Sequence, residues 1–325
     1  MLCYGYFRLG KSYPHLSVEQ RVLKGLELCN PSFKEVWQPV IDQYAIPHQL
    51  PDSIFSWKNE LGSNIDAAAF EQAHLQQPHL FLRIRPGYER DVVERIKEYA
   101  VTSQFMDGAV CLPNGFKAEK FFRINKEVVV QDLSSQRVGE LLSAHLPTIS
   151  NSQVPLSVWD CCAASGGKSI LAKDKLGNIQ LTVSDIRPSI LANLKKRFQE
   201  AGMLHYNAMM ADAAQANPGQ LFDLVIADVP CSGSGTWART PEQLLFFDER
   251  KMNDFVELQS AITRNIVKYI RPGGHLLYIT CSVFEKENEY RVQQLQTLGL
   301  ELVQQKTFRG YEKGADTLFG ALLRK

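Results

Sequence analysis

At 325 residues, with 45% hydrophobic and 22% charged side chains, the chain is about two domains long and has an ordinary globular composition. Its apolar stretches, such as Leu224 to Ala227 and Leu276 to Ile279, are strand-sized and far short of the roughly 20 residues of a membrane span, and no basic, then apolar, leader opens the sequence, so a cytoplasmic protein is expected. A net charge of +1, from 36 basic and 35 acidic residues, provides no global field for a polyanion; contact with nucleic acid has to be a local patch.

Residues 1–75 read as a helical segment, with Ser17 and Gln20 as a capping box ahead of Val22, Leu23 and Leu26, and with Pro31, Pro47 and Pro51 punctuating the later part of it. From 76 to 138 short strands surround one helix: Leu80 to Ile84, a helix after Pro86-Gly87 carrying Val92, Val93, Ile96 and Tyr99, then Ala109 to Leu112 and Glu127 to Gln131. In this small α/β module Arg83 and Arg85 share a strand, and Lys117, Lys120, Arg123 and Lys126 interleave with Phe116, Phe121 and Phe122. Such interleaving suits gripping phosphates and stacking on bases; it equally suits a solvated face over a phenylalanine core.

From 139 to 325 strands and helices alternate, which predicts a mainly parallel, doubly wound sheet. The strands are Leu156 to Asp160, Leu181 to Asp185, Asn207 to Met210, Phe222 to Asp228, His275 to Thr280, Glu301 to Gln304 and Thr317 to Leu322. Helices are expected at 167–176, at 189–201 and at 250–270, the last ended by Pro272-Gly273-Gly274. Ligands of such sheets sit outside the carboxyl ends of the strands, and the unusual residues fall there. Asp160 through Lys168 follows the first strand, Asp185 ends the second, Asp212 lies just past the third, Asp228-Val-Pro-Cys231 ends the fourth and Thr280-Cys281-Ser282 the fifth.

The segment Cys161-Cys-Ala-Ala-Ser-Gly-Gly-Lys168-Ser169 joins a strand to a helix through small residues, so a nucleotide-like ligand can approach the backbone and meet amides at the helix start. Its tail, Gly167-Lys168-Ser169, also has the ending of a phosphate-cradling loop, with Asp228 as a magnesium carboxylate, although Cys162 stands where that loop needs its first glycine. Asp185 is placed to hold an adenosyl ribose or to cap the helix after Pro188; Asp212 is placed to take an adenine amino group or to close a turn.

The seven cysteines, at 3, 29, 111, 161, 162, 231 and 281, form neither a CxxC pair nor a disulfide framework, and free thiols without a metal are expected. Two of them end strands in small-residue turns beside the same edge. Carbon 5 of a pyrimidine takes a methyl group only after a thiolate has added to carbon 6 and made an enamine of the ring. The reaction then needs a hydrogen bond or proton at ring nitrogen 3, for which Asp228 is available, and removal of the carbon-5 proton.

The strings Asp160-Cys-Cys-Ala-Ala-Ser-Gly-Gly-Lys168, Asp228-Val-Pro-Cys-Ser-Gly-Ser-Gly235, Arg239-Thr-Pro-Glu242 and Tyr278-Ile-Thr-Cys-Ser282 with Glu287-Asn288 resemble the signature motifs of the RsmB/NSUN family of RNA cytosine-C5 methyltransferases. Phe81-Leu-Arg-Ile-Arg85, Val129-Val-Gln-Asp-Leu-Ser-Ser-Gln136 and Gly314-Ala-Asp-Thr-Leu-Phe319 resemble its flanking segments. The resemblance implies a Rossmann-like, S-adenosylmethionine-dependent catalytic sheet. It implies a donor held by Cys162, Ala163, Ala164, Ser165, Gly166, Gly167, Lys168, Asp185, Asp212 and Asp228, with Cys281 as nucleophile and Cys231 releasing the product. Arg83, Lys120, Arg123 and Arg239 are the expected substrate contacts. RNA is the expected partner, ribosomal before transfer RNA, within a ribosomal subunit or its precursor and away from membranes. The chain departs from the family pattern at Ser165, usually Pro, which predicts a less rigid loop, and at Arg85, usually Asn. A non-catalytic RNA-binding assembly factor and a P-loop-like NTPase are the competing classes.

Overall fold

The computed structural model describes residues 54–99, 103–146 and 154–325. The Ser17 capping box and Pro31, Pro47 and Pro51 lie outside these residues. The described part of the expected helical segment holds one 3-10 turn, Lys58–Glu60, and one short helix, α1 (Ala67–Ala73), capped by the Asp66 carboxylate on the amides of Ala68 and Ala69. Its aromatic residues, Phe55 and Phe70, are buried with Trp237, Phe247, Phe284 and Tyr311 of the later sequence.

The next unit is a four-stranded antiparallel sheet in the order β2-β3-β1-β4, with β1 (Leu80–Ile84), helix α2 (Glu89–Glu98), β2 (Gln104–Met106), β3 (Ala109–Leu112) and β4 (Val128–Val130). Asp107 and Gly108 join β2 to β3 with positive φ at both positions, the turn that matches the twist of two paired strands. One face of the sheet packs Leu82, Val110, Leu112 and Val128 with Val92 and Ile96 of α2. The other sets Phe81, Ala109 and Cys111 against Leu133 and Ala315.

Side chains alternate along a strand, so Arg83 shares the face of Phe81 and is covered by the larger unit. Arg83 is buried, with its Nη1 2.6 Å from Asp174 Oδ2 and its Nε donating to Gln131. Arg83, one of the expected substrate contacts, is thus turned onto the larger unit and fastens the small sheet to it. Arg85, at the family's asparagine position, grips the same Asp174 at 2.9 Å and the carbonyl of Ala201.

After α3 (Leu133–Arg137) and α4 (Gly139–His145) the chain builds a seven-stranded sheet. Its elements are β5 (Leu156–Asp160), α5 (Gly167–Leu176), β6 (Ile179–Asp185), α6 (Pro188–Glu200), β7 (Asn207–Met210), β8 (Phe222–Asp228), α7 (Gln243–Phe246), α8 (Glu249–Ile266), β9 (Ile270–Thr280), α9 (Glu289–Thr297), β10 (Glu301–Phe308) and β11 (Leu318–Arg324). The spatial order is β10-β11-β9-β8-β5-β6-β7; β5 to β9 pair in parallel, and β11 and β10 complete one edge antiparallel. Every residue of β5 is buried because both faces are covered, Val158 packing with Ile170 and Phe198, and Trp159 with Phe222 and Ile266. The strand order reverses between β5 and β8, the position at which such sheets open a ligand crevice.

Two expectations change. Pro272-Gly273-Gly274 does not end α8: it lies within β9, where the register against β8 shifts between Phe222 and Leu224 and Gly273 donates to the Lys325 carbonyl. Strand β10 is eight residues long rather than four, paired along the whole of β11. No helix among the described residues is long and apolar enough to cross a membrane.

Candidate active site

The loop from Cys161 to Gly166 lies across the ends of three strands. Cys161 N donates to Ile226 O of β8, Ala163 N to Ser184 O of β6 and Ala164 N to the Asp185 carboxylate, while Ala164 and Gly166 take positive φ to turn into α5. A side chain at Gly166 would start 2.3 Å from the Phe198 ring, so the glycine is needed for both conformation and space. Gly166→Ala is expected to lower stability by about 1–3 kcal/mol, measured by denaturant unfolding, whereas Gly202→Ala, at a positive φ with open space beyond it, tests the conformational part alone. Ser165 is not left loose: its hydroxyl accepts from Arg197 Nη1 at 2.9 Å, and Arg197 Nε reaches Asn125 Oδ1 of the small sheet unit at 2.8 Å.

Asp160, at the end of β5, is fully buried. One carboxylate oxygen accepts from Ser169 Oγ at 2.6 Å, and the other, Oδ1, has no partner among the described residues. Burial pushes its pKa up to about 7 against the Ser169 hydrogen bond, with Asp228 and Asp185 adding to the rise and Lys168 opposing it. Asp185 ends β6; burial raises its pKa, but bonds from the Arg187 side chain and backbone and from Ala164 prevail and hold it below the usual carboxylate range. The next residue, Ile186, is 61% exposed, an apolar surface beside that carboxylate. Asp212 closes the turn after β7, accepting from Ala214 N at 2.9 Å. Asp228, at the end of β8, receives the Lys168 ammonium at 3.0 Å, and Lys168 also donates to Ser135 Oγ at 2.7 Å.

Cys231 and Cys281 meet, with their sulfurs 3.3 Å apart. Their approach is built by glycine: Gly235 N donates to Cys281 O, and a Cβ on Gly235 would lie 2.0 Å from Thr317 O. The neighbouring Cys281 sulfur, then burial, then the charge of Glu287 push the Cys231 thiol well above its usual range. Glu287, fully buried, accepts from Ser232 N and Gln259 Nε2, both at 2.9 Å, and from the hydroxyls of Ser232 and Ser282. The sequence offers Glu287 and Ser135 only as parts of motifs, and Ile186 not at all. The local signal was that Ser232 and Ser282 each follow one of the paired cysteines.

The expected substrate contacts separate. Lys120 is exposed, and Arg123 is 60% exposed although paired with Glu127. Arg239 is spent on structure: it grips Asp316 at 2.7 Å and Asp132 at 3.0 Å and reaches the His79 carbonyl. Of the interleaved phenylalanines, Phe122 is in the small sheet's core, while Phe116 and Phe121 stack on one another at 5.0 Å against it.

A doubly wound sheet with this strand order and with its acidic, glycine-rich and thiol residues gathered at one edge defines a Rossmann-like methyltransferase fold. Residues 148–317 match the family model of the 16S rRNA methyltransferase RsmB/F, and the chain belongs to that family, as the strand-end motifs led us to expect. It is 30% identical over 245 residues to ribosomal RNA small subunit methyltransferase B of Xylella fastidiosa, covering 70% of this chain and 54% of that protein. The corresponding probable enzyme of Bacillus subtilis is 29% identical over 240 residues, covering 69% and 52%. The chain thus spans about half the length of the curated relatives it matches. Among solved structures, NSun6 from Pyrococcus horikoshii superposes with a TM-score of 0.70 at 14% identity, over 85% of this chain and 98% of that one. A methyltransferase homolog from the same organism gives 0.66 at 16%, over 93% and 98%. The phosphate-loop alternative falls with this assignment: Lys168 is committed to Asp228 and Ser135, and the Ser169 hydroxyl to Asp160.

Proposed function

We propose that this protein transfers a methyl group from S-adenosylmethionine to carbon 5 of a cytosine in small-subunit ribosomal RNA, through a covalent bond between Cys281 and carbon 6 of the ring. What supports this above all is the pair of thiols 3.3 Å apart at the sheet edge that also carries Asp228, Lys168 and the Cys162 to Lys168 loop.

The residues present fit the donor. Asp160 has a buried carboxylate oxygen without a partner, suited to an ammonium; Asp185 suits a ribose diol once the exposed Arg187 swings aside; Ile186 offers an apolar surface for a base. Asp212 flanks the same edge, and Gly166 and Gly167 let a ligand lie against the backbone. When bound, S-adenosylmethionine supplies an electrophilic methyl on a sulfonium. Cys281 as thiolate adds to carbon 6, the ring's C5=C6 electrons move to C4=C5 and the C4=N3 pair to nitrogen 3, which takes a proton from water, and Asp228, steadied by Lys168, accepts the new N–H and takes that proton up when the ring is restored. After methylation Cys231 accepts the carbon-5 proton; the electrons of that C–H bond restore the ring double bond as the carbon–sulfur bond breaks and the Cys281 thiolate leaves. Both thiols must be free, which suits the reducing cytoplasm.

The raised pKa of Asp160 gives this reading a pH signature. The folded protein holds a proton that the unfolded chain has lost between about pH 4 and about pH 7, so this group's contribution to stability is present on the acid side and vanishes as pH rises through about 7. A bound ammonium favours the ionised form. Affinity for S-adenosylhomocysteine is therefore expected to rise from pH 6 to 8. Asp160→Asn should weaken it by about 10–100-fold and flatten that rise in a calorimetric titration.

The substrate itself is tested by methyl transfer to 16S rRNA, small ribosomal subunits and transfer RNA, followed by mapping of methylated cytosines. Labelling of 16S rRNA at a defined cytosine carbon 5 is expected. Labelling of transfer RNA alone would move the activity to that substrate, and methyl groups on nitrogen or ribose oxygen would overturn the proposal.

A further inference from the structure

The geometry points to Glu287 as a positioning residue that ties the two cysteine-bearing loops together and sets the distance between their sulfurs. The inference rests on reading Cys231 and Cys281 as the working pair.

Ser232 directly follows Cys231 on the loop after β8, and Ser282 directly follows Cys281 on the loop after β9. These loops belong to different strands, and the small residues that let them approach give neither loop stiffness of its own. Glu287, on the 3-10 turn Glu285–Glu287, reaches both: Oε1 takes the Ser232 amide and the Gln259 amide, and Oε2 takes the hydroxyls of Ser232 and Ser282. Every partner donates, the pattern a carboxylate acceptor satisfies and a carboxamide cannot. The turn is fixed in its own right, because Tyr278 Oη donates to the Glu287 carbonyl at 2.8 Å and Asn288 Nδ2 to the Ser282 carbonyl at 2.9 Å. One buried side chain thus joins the two loops alongside the direct Gly235 N–Cys281 O and Val283 N–Ser234 Oγ bonds, and it alone anchors the residues next to both sulfurs to a fixed turn, setting the reach of Cys231 to a ring already bonded to Cys281.

The test uses phenylarsine oxide, a trivalent arsenical that bridges two thiols only when they are close. Capture alone is run in a Cys162→Ser background, so that the neighbouring Cys161–Cys162 pair, at 4.0 Å, cannot respond, and kcat and KM are measured with Cys162 intact. Folding of each variant is checked by its stabilisation with S-adenosylhomocysteine. Glu287→Gln is expected to slow arsenical capture by about tenfold and to lower kcat by about 10–100-fold while KM for RNA stays within about twofold. Ser232→Ala, which removes one hydroxyl of the tether and keeps the carboxylate, should shift both readouts in the same direction by less; it carries the test if Glu287→Gln does not fold. Capture and kcat within about twofold of wild type in a folded variant would overturn the inference. Normal arsenical capture by a wild-type protein that methylates no RNA would remove the functional reading and leave the tether standing.

Discussion

Cys231→Ala will leave the protein covalently attached to its RNA, and Cys281→Ala will neither attach nor methylate. The two sulfurs are only 3.3 Å apart, so proximity alone gives them the same prospects; the mechanism makes them opposite. In the proposed mechanism Cys281 forms the bond that makes carbon 5 nucleophilic, and its loss is expected to lower kcat/KM by on the order of 10⁴-fold or more. Cys231 acts after the methyl has moved, by accepting the carbon-5 proton. Without it the ring remains bonded to Cys281, and a denaturing gel should show one adduct per chain that requires S-adenosylmethionine for methylation and Cys281 for its existence. The double variant should show none. Both side chains are only partly buried, so either substitution should cost about 1 kcal/mol or less in stability, and melting temperatures close to wild type will separate loss of chemistry from loss of fold. Equal inactivity of both single variants without an adduct would contradict the assignment.

Asp174→Ala is expected to destabilise the protein by about 3–5 kcal/mol, far more than an ordinary loss of a carboxylate. Asp174 and its partners Arg83 and Arg85 have side chains 6%, 9% and 12% exposed, and the carboxylate is their shared counter-charge across the seam between the small sheet and α5. Burial already pulls the Arg83 pKa down against the attraction of Asp174, so removing the aspartate strands two guanidiniums in a poorly solvated place. Glu94→Ala provides the control. Glu94 pairs with Arg90 on the exposed face of α2, with side chains 64% and 86% exposed, and its loss should change stability by about 0.5 kcal/mol or less. Urea unfolding of the two variants distinguishes a structural seam from a decorative ion pair; equal and small changes would show that the seam does not depend on Asp174.

Strand β5 was legible in the sequence to the residue, because its large apolar residues Leu156, Val158 and Trp159 run up to a charge at Asp160 with only the small Ser157 between them. The grouping of the candidate residues was legible because the parallel strands β5 to β9 all end at one edge, so that Asp160, Asp185, Asp228, Cys231 and Cys281 could be grouped without knowing a single contact. Arg83 was not, since alternation puts it on a face but does not say what covers that face; its partner lies 91 residues further on. Arg239 escaped for the same reason, its carboxylates coming from distant segments. Strand β10 was read short because half of its residues are exposed, polar residues dominate its second half and its length is set by pairing with β11. Pro272-Gly273-Gly274 has the composition of a helix stop, and only pairing with β8 and the chain's last residue makes it part of a strand.

The sulfur that bonds to the base can be identified directly. The adduct formed by Cys231→Ala is digested with nuclease and trypsin, and the peptide that retains the cytidine is sequenced by mass spectrometry. The nucleoside is expected on the peptide carrying Cys281, attached at that residue and already bearing the transferred methyl. Its recovery on Cys162, or on any residue other than Cys281, would contradict the account.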